Sequence, residues 1–257
     1  MAIREVIKRQ LRTIKNNRDF KIAGASLRII ADLYHHHPSA RFFNSFKLKR
    51  MVKSGAWTQL SFGDRIIQRI FYICTEKGPH GTTIIKLPRG DNLHSCDFIA
   101  SLSTPESLTE YKRLILSITN DPDLGKHCPE VLEFSSDGGY KSEYIDGFNL
   151  ALMKDESFDL SEFTKNNIEN IAAALEKLLA SLHQYTERHG HLLGDWPLHN
   201  LMYSPQRGEI FNVDLEGFYS FREPSIENNL EYIEANFRNI IDSLRNRENF
   251  TEGHPIN

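Results

Sequence analysis

With 257 residues, 40% of them hydrophobic and 25% charged, the chain can bury a substantial core in one domain or two tightly joined lobes, as an ordinary soluble globular protein does. Cys74, Cys96 and Cys128 stand far apart without CxxC spacing, which argues against a disulfide framework or a zinc site. No apolar run approaches a membrane span and residues 1–20 lack the apolar core of a secretory signal, so a cytoplasmic protein is expected.

The formal net charge of −3 conceals an asymmetry, because residues 1–55 carry 13 Lys/Arg against 3 Asp/Glu. Ile3, Val6, Ile7, Leu11 and Ile14 recur at helical spacing among Arg4, Lys8, Arg9, Arg12 and Lys15, the pattern of a basic amphipathic helix within residues 1–18. Such a helix either packs its apolar stripe on the body of the protein or lies on an anionic membrane. A second helix is expected from Ala23 to Tyr34, ended by His35-His36-His37-Pro38. Three adjacent histidines on a turn do not readily converge on one ion, so that tract reads as an exposed polar turn. Arg41 to Lys53 is basic and dotted with Phe42, Phe43 and Phe46, but no recognition motif accompanies it and no nucleic-acid partner is expected.

From Gly55 the pattern becomes strand-like. Ile66–Thr75 and Thr82–Leu87 are β-branched and aromatic runs joined by the turn-rich Glu76-Lys77-Gly78-Pro79-His80-Gly81, which predicts a hairpin with Lys86 near the end of its second strand. Upstream, Ser61-Phe62-Gly63-Asp64 predicts a turn. Ser103-Thr104-Pro105-Glu106 has capping-box spacing and opens a helix whose stripe is Leu108, Tyr111, Ile115 and Ile118, with Glu110 at its margin. Two further strands are expected at Val131–Phe134 and Gly139–Gly147. The clearest helix spans 168–189, with Ile168, Ile171, Ala172, Leu175, Leu178, Leu179, Leu182 and Tyr185 on one face and Gly190 as C-cap.

That helix feeds Leu193-Gly194-Asp195-Trp196-Pro197-Leu198-His199-Asn200, and a strand pair, Leu201–Tyr203 and Glu209–Val213, leads on to Asp214-Leu215-Glu216. An Asp with an Asn five residues on and a second Asp at the end of a short apolar strand is the spacing of phosphoryl transfer: Asp195 orients the attacking hydroxyl, while Asn200 and Asp214 offer oxygens to Mg²⁺. On these residues the chain resembles the protein-kinase-like superfamily in its small-molecule and glycan branch, which includes lipopolysaccharide sugar kinases and aminoglycoside and choline kinases. The resemblance covers roughly residues 55–220. It implies that Lys86 holds the ATP phosphates, that Glu110 faces Lys86 as its carboxylate partner, and that Glu143, Tyr144 and Ile145 form the hinge that meets adenine. It further implies Gly63 in the phosphate-covering loop, although no G-x-G-x-x-G is present, and Glu216 beside a second Mg²⁺. Leu193 stands where many kinases have His, and Asp214-Leu215-Glu216 replaces Asp-Phe-Gly. His199 reads as loop packing.

The expected architecture is α+β and two-lobed: a basic helical extension (1–54), a small antiparallel-sheet N-lobe (55–145) and a reduced, mostly helical C-lobe (146–257). A final helix has Ile226, Leu230, Ile233, Phe237, Ile240, Ile241 and Leu244 on one face, and only 43 residues follow Asp214. That short tail favours a sugar, glycolipid or other small-molecule acceptor over a polypeptide, with ATP and Mg²⁺ as cofactors and peripheral contact at the inner membrane face through residues 1–18. The alternatives are a protein Ser/Thr kinase and a pseudokinase that serves as a binding module.

Overall fold

The computed structural model describes residues 40–59, 71–79, 81–88, 101–102, 104–151, 167–225 and 228–252. The segment 1–18, the helix expected over Ala23–Tyr34, the three-histidine turn, Gly63 and Ile226 lie outside them. Helix α1 (Ala40–Lys53) precedes strands β1 (Trp57–Gln59), β2 (Phe71–Gly78) and β3 (Gly81–Pro88). Helix α2 (Pro105–Thr119) follows, then β4 (Val131–Phe134) and β5 (Tyr140–Glu143), which complete an antiparallel sheet of order β1-β2-β3-β5-β4. A second, three-stranded sheet joins β6 (Phe148–Asn149), β7 (Leu201–Ser204) and β8 (Glu209–Asn212). Helix α3 (Ile168–His189) lies between β6 and β7, and the short α4 (Gly217–Ser220) and long α5 (Leu230–Glu252) follow β8. The fold is thus mixed α+β, with antiparallel sheets and helices.

Side chains alternate across a strand, so a sheet covered on both faces needs apolar residues at every position. The first half of strand β2, residues 71–74, meets that condition. Tyr72 and Cys74 join Ile85, Leu87, Trp57 and Leu48 of α1 in one cluster, while Phe71 and Ile73 join Tyr111, Ile115 and Ile118 of α2 in the other. Residues 40–53 of the basic segment are therefore a helix packed on this sheet, with Leu48 inside and Lys49, Arg50 and Lys53 exposed. The Lys47 ammonium lies 5.5 Å from the Trp57 ring centroid.

The β2–β3 hairpin is tighter than the predicted connector. Pairing continues through Glu76↔Thr83 and Lys77↔Thr82 to Gly78↔Gly81. Glu76 stabilises this extension by accepting from the Trp57 indole at 3.1 Å and pairing with Lys141 at 2.5 Å. The strand expected over Gly139–Gly147 is shorter: β5 ends at Glu143, and the next strand, Phe148–Asn149, belongs to the second sheet. The cap of α2 also differs. Thr104 is the N-cap and its box partner is Ser107, whose backbone N–H donates to the Thr104 hydroxyl at 3.1 Å; Glu106 only adds charge to the first turn.

Helix α3 carries the main core. All eight predicted face residues are buried, and Gly190 takes a left-handed C-cap at φ 80°. Helix α5 lays Ile233, Phe237, Ile241 and Leu244 into the same core. His127, in a 3-10 turn after α2, is buried between α3 and β8. A carbonyl can only accept, so Nδ1–H donates to Ile210 O at 2.9 Å, and Nε2 lies 3.1 Å from the Ser181 hydroxyl, whose single proton serves either that nitrogen or Lys177 O at 3.0 Å. Burial lowers the His127 pKa from 6.5, only partly opposed by the Ile210 bond. A lowered folded value means that protonation favours unfolding. Stability from His127 is therefore full above the pH range where the unfolded imidazole titrates and declines below it, with a slope of at most about 1.4 kcal/mol per pH unit, until the folded pKa is passed. Urea unfolding against pH should show that slope, and His127→Gln, which cannot ionise, should flatten it.

Candidate active site

Helix α3 ends beside a loop whose backbone leaves little freedom. Leu192 and Leu193 are buried, and Gly194 sits at φ 90°, where a Cβ would overlap the Phe218 ring. Trp196 is buried against that same ring at 5.8 Å between centroids, and its indole N–H donates to Leu193 O at 2.8 Å. A 3-10 turn, Leu198–Asn200, then delivers Asn200 to the start of β7. Because β7 and β8 are antiparallel with Leu201 opposite Asn212, Asn200 and Asp214 emerge at the same end, and Val213 N–H donates to Asn200 O at 2.9 Å.

These constraints bring the predicted acceptor-side and metal-side residues together. The Asn200 amide nitrogen lies 3.2 Å from Asp195 Oδ2 and 3.4 Å from Asp214 Oδ2. Asn212, missed in the sequence reading, ties the two loops: its side-chain nitrogen donates to Asp195 O at 2.9 Å, and its Oδ1 accepts from Asp214 N–H at 2.9 Å. The signal for it was an Asn inside the apolar run Ile210-Phe211-Asn212-Val213; the residue is fully buried, and a buried amide requires partners. Gly217 is the other missed position. A Cβ there would stand 3.0 Å from Asp214 Oδ2 and 3.4 Å from Asp195 Cβ, so the glycine leaves room between the two acids.

Lys86 reaches this cluster from β3. Its ammonium donates to Glu216 Oε1 at 2.8 Å, Glu216 Oε2 at 2.7 Å and Val213 O at 2.9 Å, and lies 3.8 Å from Asp214 Oδ1. The expected partner was Glu110, and that expectation is corrected: Glu110 is exposed on α2, and the buried position beside it is Tyr111. The Tyr140 hydroxyl donates to Glu216 Oε2 at 2.5 Å, so the Glu216 carboxylate, expected beside a second metal ion, is held by Lys86 and Tyr140. Burial alone would raise the Glu216 pKa, but the Lys86 charge and the Lys86 and Tyr140 hydrogen bonds bring it below its ordinary value. Asp214 moves the other way, raised well above the usual carboxylate range by desolvation and by the adjacent Glu216 charge.

The hinge candidates lie at the end of β5. Glu143 pairs with Arg207 from the β7–β8 turn, Tyr144 is exposed and Ile145 is buried. His199 is exposed, while its carbonyl accepts from Asn149 at 2.6 Å. Among the described residues no group of three or more His, Cys, Asp and Glu has metal-holding geometry. The donor set nevertheless fits Mg²⁺, a hard ion that takes one or two carboxylates and fills its remaining positions with water and phosphate oxygens. Asp214, with its side chain 28% exposed, and the amide oxygen of Asn200 are the groups that would hold it.

No family model matches the chain, and no curated protein matches it. Among solved structures, the chain is similar to the kinase domain of Mycobacterium tuberculosis PknI, crystallised with one cysteine replaced by alanine, at 15% identity and a TM-score of 0.39. The likeness covers 63% of this chain and 59% of that one.

Proposed function

We propose that the chain is an ATP- and Mg²⁺-dependent phosphotransferase of two-lobed, protein-kinase-like fold, acting on a hydroxyl of a sugar, glycolipid or other small molecule. One observation carries this reading: Lys86, Asp195, Asn200 and Asp214, from three separate segments, share one continuous set of polar contacts. Phosphoryl transfer demands positioning and charge stabilisation more than covalent chemistry from the protein, and this set supplies a cation for phosphates, a carboxylate for the acceptor proton and oxygen donors for a metal. When bound, Mg²⁺ would neutralise charge on the nucleotide phosphates. Asp195, half-buried and fixed through its own carbonyl by Asn212, accepts the acceptor hydroxyl proton. Glu143, Tyr144 and Ile145 offer hinge backbone to the adenine ring. The presence of both acids and the Asn favours catalysis over a binding-only role.

The small-molecule acceptor is supported by the route of the chain beyond Asp214. It passes to α5 through residues 215–229, whose described helix, α4, is four residues long, and α5 then packs straight back on α3. Among the described residues, that segment adds only this four-residue helix on which a polypeptide could dock. Among the described residues no helix is long and apolar enough to cross a membrane, and a glycolipid acceptor would be met through peripheral contact by residues 1–18. Labelled ATP offered with free sugars, with glycolipid in anionic vesicles and with a generic protein tests the reading. Transfer to a sugar or glycolipid is expected; transfer to protein alone would favour a protein kinase, and transfer to none would contradict the proposal.

A further inference from the structure

The Lys86 ammonium hydrogen-bonds within one loop, to both oxygens of the Glu216 carboxylate and to the Val213 carbonyl. Its position is therefore set by the segment that also carries Asp214. Helix α2 offers no competing acid, because Glu106 and Glu110 are both exposed. The side chain that α2 places inward is Tyr111, fully buried, with its ring edge-on to Tyr219 of α4 at 5.5 Å and to Phe134 of β4 at 6.4 Å. Glu216 is itself held. It immediately precedes α4, it is 8% exposed, and the Tyr140 hydroxyl fixes Oε2 while the Lys86 ammonium lies 5.4 Å from the Tyr140 ring centroid.

We propose that Glu216 is the positioning residue for Lys86, with Tyr140 fixing Glu216, so that the phosphate-binding lysine is set from the Asp214 loop and not from helix α2. The proposal rests on the phosphotransferase reading and deepens it: one loop aligns both the cation and the metal-side carboxylate, and displacement of α2 does not disconnect the lysine from its carboxylate. A carboxylate whose oxygens already accept from an ammonium and a hydroxyl is engaged as a partner of those groups, which distinguishes it from the metal ligand expected at this position.

Titrating protein with Mg·ATP at excess Mg²⁺, and separately with adenosine, tests this, because adenosine lacks the phosphates that Lys86 would hold. Glu216→Gln should weaken Mg·ATP roughly tenfold or more while adenosine affinity changes little, the scale of losing a charge-assisted contact. Lys86→Met should show the same pattern, and the double variant should be no worse than Lys86→Met alone. Tyr140→Phe, which keeps the ring, should weaken Mg·ATP by a few-fold and spare adenosine, and it provides a second route should Glu216→Gln fold poorly. Equal loss of ATP and adenosine affinity would overturn the proposal in favour of a structural role. An unchanged ATP affinity with a raised Mg²⁺ requirement would overturn it in favour of a metal ligand, and a loss caused by Glu110→Gln but not Glu216→Gln would return the role to α2. If the wild-type protein binds neither ligand, the phosphotransferase reading itself falls.

Discussion

Replacing Asp195 with Asn is expected to lower turnover by about 10²-fold or more while leaving ATP affinity nearly unchanged, because a positioned general base contributes about 10²–10⁴ and the substitution preserves shape. The surroundings favour this separation of effects. The Asp195 carbonyl is tied by Asn212 and its Oδ2 faces the Asn200 amide at 3.2 Å, so the backbone that places the group survives the change. Steady-state kinetics with the identified acceptor, alongside ATP titration, would show the split. Full turnover in Asp195→Asn would require another base, and His199, which is exposed, would be the first to replace.

Lys86→Met carries the second large effect, this time on stability as well as nucleotide use. The side chains of Lys86 and Glu216 are 7% and 10% exposed, and removing one partner of a buried pair strands the other charge at a cost of about 3–5 kcal/mol. Methionine retains most of the apolar stem, which isolates the charge from the packing. With Lys86 gone, Glu216 also faces Asp214 without a cation between them. Urea unfolding should show the loss in Lys86→Met, and Lys86→Met combined with Glu216→Gln should recover much of it, since both charged partners are then absent. An unaltered midpoint in the single variant would mean that the pair is not a coupled buried contact.

The elements that the sequence displays well are those whose signals are local. Helix α3 is legible because its apolar residues keep one period for 22 residues and Gly190 stops it; β8 is legible because an apolar run ends at Asp214. The convergence of Asn200 and Asp214 followed from the short hairpin between them. Contacts across long separations were not legible. Lys86 and Glu216 lie 130 residues apart, and Glu110, on a nearer helix, had the same chemistry and a plausible margin position. What decided against Glu110 is the packing of α2, which turns Tyr111 inward. The α2 cap was misassigned for a smaller reason: Ser107 can reach back to the Thr104 backbone, a bond of 3.3 Å that a Glu-centred reading of the box overlooks. The role of the basic segment before Gly55 was only half visible, although the unbroken apolar character of Phe71-Tyr72-Ile73-Cys74 signals a sheet covered on both faces.

The proposed chemistry stands or falls with Asp214 and Asn200 binding a nucleotide-bound metal beside Lys86. Thermal unfolding in the presence of ATP, with Mg²⁺ and with EDTA, interrogates that assignment without needing the acceptor, since a ligand that binds only the folded state raises the melting temperature by mass action. A clear rise with Mg·ATP is expected, with a much smaller one for ATP and EDTA and loss of the difference in Asp214→Asn. Equal shifts with and without the metal, or no shift at all, would contradict it.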